Sequence, residues 1–233
     1  MRPWFAFAAL AVCAHAADPQ AAWQQAVEAK GGRERLRAVH SLAVYLRPAN
    51  VNLAGPPSDW LCVFPDRYFE YARTSSGERA LVVDASNDRA GMDMTGIKRQ
   101  TRHVSEGERD QLVLNQVLYL LESAWMEPRP VELKRNVLTI EASGLAFRIW
   151  LDRANLPERL QMLAGQKHKV VDDYHLQHYR EFGGIQLPAR VAHSNGLREW
   201  TWDADYEVNA KYNPKLFERV PDLANGPEPW RQR

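Results

Sequence analysis

The chain has 233 residues, with 30 Lys and Arg against 29 Asp and Glu. A net charge of +1 gives no field to steer it toward nucleic acid, so no nucleic-acid partner is expected. Hydrophobic residues make up 45% and charged residues 25%, which is ordinary globular composition and suits one large domain or two small ones.

Met1 to Ala16 reads MRPWFAFAALAVCAHA. An early Arg2, an apolar run from Pro3 to Ala14 and the closing Ala14-His15-Ala16 have the form of a secretory signal peptide. The run falls short of the roughly 20 apolar residues that an anchor needs. Cleavage is expected after Ala16, and the protein is expected in the periplasm. Of the two cysteines, Cys13 leaves with the signal. The branched Val12 before it argues against acylation. Cys62 then has no internal disulfide partner and reads as a small buried hydrophobe within Trp60-Leu61-Cys62-Val63-Phe64.

Pro19 to Lys30 has helical spacing, with Asp18 as cap and Gly31-Gly32 as terminator. Arg33 to Ala38 adds a short helical turn, and Val39 to Leu46 alternates as a strand. After the Pro-rich loop Pro48–Ser58 come strand readings at Trp60–Phe64, Arg67–Arg73 and Ala80–Val83, then a hairpin of Arg89–Met94 and Ile97–Arg102. The period then changes. Ser105 to Trp125 is the one long helical segment. Ser105 and Glu108 form a capping box, and Leu114, Val117, Leu118, Leu121 and Trp125 lie on one stripe. Pro128 and Pro130 forbid continuation. Strand readings resume at Asn136–Glu141, Leu145–Leu151, Glu158–Ala164, Lys169–Tyr174, His175–Phe182, Ile185–Val191 and Trp200–Tyr206. Pro221 to Arg233 is polar and reads as a fraying, flexible tail.

About ten strands joined by short turns mean antiparallel neighbours. No linker divides the chain, so a single domain over residues 17–220 is expected. The fold class is α+β: a curved, mostly antiparallel sheet, a half-barrel, with helices covering the concave face. The wide stripe on the long helix favours a helical cover over a second sheet. Eight Trp and eight Tyr add bulky rings, among them Trp60, Tyr68, Phe147, Trp200 and Trp202 in strands. Between curved sheet and lid these rings leave either a filled core or an apolar cavity.

The segments Ala22-Trp23-Gln24-Gln25-Ala26-Val27-Glu28-Ala29-Lys30-Gly31-Gly32 and Tyr179-Arg180-Glu181-Phe182-Gly183-Gly184-Ile185-Gln186-Leu187-Pro188 carry a resemblance. So do Glu207-Val208-Asn209-Ala210 and Pro214-Lys215-Leu216-Phe217. Together they resemble the LolA-like group of periplasmic lipoprotein carriers and outer-membrane lipoprotein-sorting proteins. The resemblance implies a half-barrel closed by helices over a cavity that receives acyl chains. On this reading the chain is a binding protein rather than an enzyme, and its partner is a lipid, an acyl chain or a lipoprotein. An envelope membrane protein would be a further partner. The candidate lining is Trp60, Phe69, Val117, Leu118, Leu121, Trp125, Phe147 and Ile149.

Two other readings remain open: an envelope protein that docks onto another protein without carrying lipid, and a hydrolase centred on His168 to His178. That second cluster holds His168, Asp172, Asp173, His175 and His178. Strand alternation puts His168, Asp172 and His178 on one face and Asp173 and His175 on the other, so convergence on a metal is not expected. No G-x-S-x-G or H-E-x-x-H motif occurs, and no cofactor or metal is expected. Asp203 and Asp205 read as a polar outer face, and Lys98-Arg99 with Arg102-His103 as a charged hairpin edge.

Overall fold

The computed structural model describes residues 18–49, 55–164, 169–225 and 229–230. The signal segment Met1–Ala16 and His168 lie outside these described residues. No helix among the described residues is long and apolar enough to cross a membrane.

The first helix, α1, spans Pro19–Ala29. The Asp18 side chain accepts from Gln20 N at 2.9 Å and satisfies one of the free amides of the first turn. Its buried stripe is Trp23, Ala26 and Val27. A short α2, Arg33–Arg37, follows. The chain then lays down β1 (Ser41–Pro48), β2 (Ser58–Val63), β3 (Arg67–Thr74), β4 (Gly77–Asp84), β5 (Arg89–Met94) and β6 (Ile97–Arg102). Helix α3, Glu106–Leu120, separates these from β7 (Arg129–Lys134), β8 (Val137–Ala142), β9 (Leu145–Leu151) and β10 (Pro157–Ala164). The last strands are β11 (Lys169–Phe182), β12 (Ile185–Ser194) and β13 (Glu199–Val208).

Among the described residues there are thirteen strands in one open sheet, more than the ten or so expected. Strand order is β6-β5-β4-β3-β2-β1-β13-β12-β11-β10-β9-β8-β7, and every neighbouring pair is antiparallel. Consecutive strands therefore pair through short turns, and one long-range pair, β1 with β13, joins the two halves. β6 and β7 are the two edges, so α3 carries the chain from one edge to the other across the inner face.

One strand, β7, has no counterpart among the strand readings. It contains Pro130, which reads as a breaker, yet an edge strand tolerates a residue that cannot donate to the ladder. The two strands expected over Lys169–Phe182 are one, interrupted at His178, whose backbone is left-handed at φ 56°. Gln177 pairs with Arg190 and Tyr179 with Pro188, so the register with β12 runs unbroken across His178 and only its backbone conformation departs from the strand.

The inner face holds the main core. Leu42, Val44, Cys62, Leu138, Ile140, Phe147, Ile149, Leu160 and Leu187 meet Trp23, Val27, Leu114, Val117 and Leu121 from the helices. Cys62 is buried there, and burial pushes its thiol up to about 12. A second core lies on the outer face: Ala43, Leu61, Phe69, Tyr71 and Val82 pack under Phe217 and Trp230. The fraying expected for Pro221–Arg233 does not extend to Trp230, which is fully buried with its ring 5.3 Å from Phe69. The segment is also tied down by Asp222 to Arg99 at 2.5 Å and by Leu223 N donating to Asp93 at 3.0 Å. The physical reason is two-sided burial: β2 to β4 are apolar outward as well as inward, and the outward set needs a cover.

The two glycine pairs singled out in the sequence meet in space. Gln186 N donates to the Lys30 carbonyl at 2.8 Å, just past the Gly183-Gly184 turn. Gly31 has φ 130°, and a Cβ there would stand 2.7 Å from the Gly184 carbonyl oxygen. Gly31→Ala combines a strained backbone with a backbone clash and is expected to cost about 2–3 kcal/mol. Urea unfolding checks this; a midpoint equal to wild type would contradict it.

Candidate functional site

Helix α3 is held at both ends. At its start the Ser105 hydroxyl accepts from Glu108 N at 3.3 Å, and Glu108 accepts from Ser105 N at 2.9 Å. Arg102 binds the Glu108 carboxylate with two bonds, at 2.6 and 2.7 Å. These donors hold the Glu108 carboxyl below its usual range against the opposing effect of burial. At its end Leu121 turns the chain with φ 64°. Glu122 is fully buried there, 3.1 Å from Arg37 and 3.3 Å from Arg33. Both arginines also reach Glu127, at 3.3 and 2.7 Å.

Between these anchors the helix stands off from part of the sheet and leaves a cleft of about 480 Å³. Gln111, Asn115, Leu118 and Tyr119 form the helix wall. The sheet wall is Leu46, Trp60, Ala72, Tyr174, Val191, His193, Trp200 and Trp202. Thr74, Ser76, Glu78 and Arg79 form a polar, more exposed rim at the β3–β4 turn.

The sheet wall is built by cross-strand register. Tyr174 lies opposite His193, and His193 opposite Trp200. Their rings stack in sequence: Tyr174 to His193 at 4.4 Å and 12°, and His193 to Trp200 at 5.5 Å and 22°. Trp202, two residues on and hence on the same face, continues the row at 6.2 Å. Two of the polar tips have partners: His193 Nε2 is 2.7 Å from Asp172, and Trp202 Nε1 donates to Pro56 O at 3.0 Å. Trp60 Nε1 donates to Ser58 Oγ at 2.8 Å. Trp60, His193 and Trp202 thus present ring surface to the cleft with these polar atoms already bonded, and burial raises the Tyr174 hydroxyl above its ordinary value.

No family model matches the sequence, and no curated protein matches it either. Solved structures do match. A LolA superfamily protein from Nitrosomonas europaea superposes with a TM-score of 0.55 at 14% identity, over 88% of this chain and 99% of that one. The protein has a LolA-like fold. A putative outer membrane lipoprotein-sorting protein domain from Vibrio parahaemolyticus aligns over 86% of this chain and 97% of its own, at 11% identity and a TM-score of 0.47.

Within this LolA-like sheet the residues expected to line a cavity fall into three groups. Trp60 and Leu118 line the cleft. Val117, Leu121, Phe147 and Ile149 are buried in the inner core and do not border it. Phe69 and Trp125 lie elsewhere. Phe69 faces outward, against Trp230, because β3 turns Tyr68 and Glu70 inward. Trp125 follows the end of α3 rather than continuing its stripe; it is 46% exposed, its ring 5.5 Å from His40. The expected lining omitted the ring row Tyr174, His193, Trp200 and Trp202. The signal for it was the inward alternation of Trp200 and Trp202 against Asp203 and Asp205.

The second candidate cluster is divided by the LolA-like sheet. Asp172 faces inward to His193, while Asp173 is bound by Arg159 at 2.9 and 2.6 Å and by Gln161 at 2.8 Å. His175 and His178 border a separate open bay of about 540 Å³ with Asp152 and Glu158. The two histidines border the same bay, although strict alternation places them on opposite faces; the left-handed backbone at His178 (φ 56°) breaks that alternation. No group of three metal-ligating side chains occurs among the described residues. Asp203 pairs with Arg190 at 2.9 Å, Arg99 with Asp93 at 3.2 Å, and His103 with Asp88 at 2.8 Å.

Proposed function

We propose that this is an exported binding protein that carries an acyl chain, free or attached to a polypeptide, in the cleft under α3. It uses no covalent chemistry. Transfer follows differential affinity between partners, one of them an envelope membrane protein. The single observation that carries this reading is the cleft itself: an unfilled, ring-lined space between helix and sheet in a LolA-like fold. Each methylene buried against such a wall contributes about 0.8 kcal/mol, so a chain of ordinary length binds without any reactive group. The secretory form of Met1–Ala16 supports action in the periplasm.

Lipid extraction and mass spectrometry of the purified protein, with titration of a fluorescent apolar dye, tests the proposal. Bound lipid or saturable dye binding is expected. Ala72 is buried on the cleft wall, and Ala72→Phe projects a ring into the space. This variant should weaken dye binding tenfold or more, by loss of roughly 1.4 kcal/mol or more, with little change in melting temperature. An empty wild-type protein that binds no dye would refute the carrier role.

A further inference from the structure

The apolar walls account for a chain but leave Asn115 unexplained. It sits mid-way along α3, is 3% exposed, and lines the cleft together with Gln111. Its Oδ1 accepts from Gln111 Nε2 at 2.8 Å, while its Nδ2 has no hydrogen-bond partner among the described residues. A buried N–H without an acceptor is costly and uncommon. The other buried polar side chains of this helix are bonded, Glu108 to Arg102 and Gln116 to Ser123, while Leu114, Val117 and Leu118 fill the core, so packing alone does not call for an amide with a free donor at this position.

Burial gives the site a direction. Gln111, one turn before Asn115, is half-buried, and the Glu78 and Arg79 rim is half-buried as well. Leu118 and Tyr119, one turn after Asn115, are buried beside the ring row. An acceptor bonded to Nδ2 would therefore lie where a polar head ends and an apolar chain begins. In an acylated molecule the atom at that junction is the carbonyl oxygen of the ester or amide. Volume sets the number of chains: about 480 Å³ at about 30 Å³ per water-sized group holds roughly sixteen such groups, enough for one chain.

We propose that the cleft takes a single acyl chain with its carbonyl oxygen held by Asn115 Nδ2, the chain running inward past Leu118 and the head lying toward Gln111 and the rim. This rests on the carrier reading above and adds the chemical class and the stoichiometry of its ligand. An acyl ester from a lipid and an acyl amide from a lipidated polypeptide share this chemistry.

Calorimetric titration with three probes of equal chain length tests it: dodecyl maltoside, which has no carbonyl; sucrose monolaurate, an ester; and an N-lauroyl dipeptide, an amide. Wild type is expected to bind one molecule of a carbonyl probe roughly tenfold more tightly than the maltoside. Preference for the ester alone identifies a lipid source, and preference for the amide alone a lipidated polypeptide. Asn115→Leu is expected to erase the preference, bringing the ratio of carbonyl-probe to maltoside affinity to about one. Equal affinity of wild type for all three probes, an Asn115→Leu effect shared equally by all three, or more than one chain per protein would overturn the proposal while the carrier reading stands. Binding of no probe at all would overturn both. The wild-type comparison decides the matter even if the variant does not fold.

Discussion

Lys30→Met is expected to stabilise the protein at pH 7, and to lose that advantage as pH rises. Lys30 closes α1 with its side chain fully buried and Nζ unpaired among the described residues; its nearest compensation is the Tyr179 ring, 5.4 Å from Nζ to centroid. Burial lowers its amine from 10.5 to about 7. The folded value lies below the unfolded one, so the unfolded chain holds the extra proton between these limits and stability rises with pH across that window. Below about pH 7 both states are protonated and the penalty is complete. Methionine fills a similar volume with no charge, so the gap between variant and wild type should close by on the order of 3 kcal/mol from pH 7 to about 9.5. The buried hydroxyls of Tyr119, Tyr174, Tyr179 and Tyr206, raised by burial, add stability below their unfolded value near 10 and lose it above. Urea unfolding of both proteins should therefore stop short of that pH. A gap that does not change with pH would show that the ammonium finds a partner.

Removing both Arg33 and Arg37 is expected to be the most damaging surface change. Each arginine is about one-third exposed, yet together they neutralise Glu122, which is wholly buried at the end of α3. Arg33→Ala with Arg37→Ala leaves a buried carboxylate without a counter-charge, at a cost of about 3–5 kcal/mol. For a domain of this size that corresponds to a melting temperature lower by roughly 10 °C. Adding Glu122→Leu to the same variant removes the stranded charge and should restore much of the loss. If the double variant melts within a degree or two of wild type, the ion pairs do not hold the helix end.

Much of this architecture is readable in residue order, and the places where reading fails have specific causes. Leu145–Leu151 alternates cleanly because one face of β9 is core and the other half-exposed. The capping box fixes the start of α3 because it is local chemistry. The end of α3 is set instead by Leu121 in a left-handed turn and by Glu122 meeting two arginines from α2, a tertiary event without local signature. The outward direction of Phe69 is equally hidden. When both faces of a strand are apolar, alternation no longer says which face is inner. The cleft follows the same pattern. Trp60 and Leu118 stand out as bulky residues on the right elements, whereas the row Tyr174–His193–Trp200 exists only through β11–β12–β13 register. Asn115 did leave a trace: with Gln111 it forms a polar pair one turn apart, and it interrupts the apolar run from Leu112 to Leu121.

The junction of β1 with β13 imposes an order of events on self-assembly. Every other strand pairs with a sequence neighbour, so β1 to β6 and β7 to β13 can each zip up through brief loop closures. The junction is the exception, because it unites the first strand with the last and depends on the entire intervening chain having arrived. A polypeptide emerging amino-end first must keep the flank of β1 open until β13 appears. The greasy hollow beneath α3, walled by β1 and β2 on one side and β11 to β13 on the other, therefore comes into being only in the closing step. A half-made chain therefore offers no enclosed apolar space to a guest.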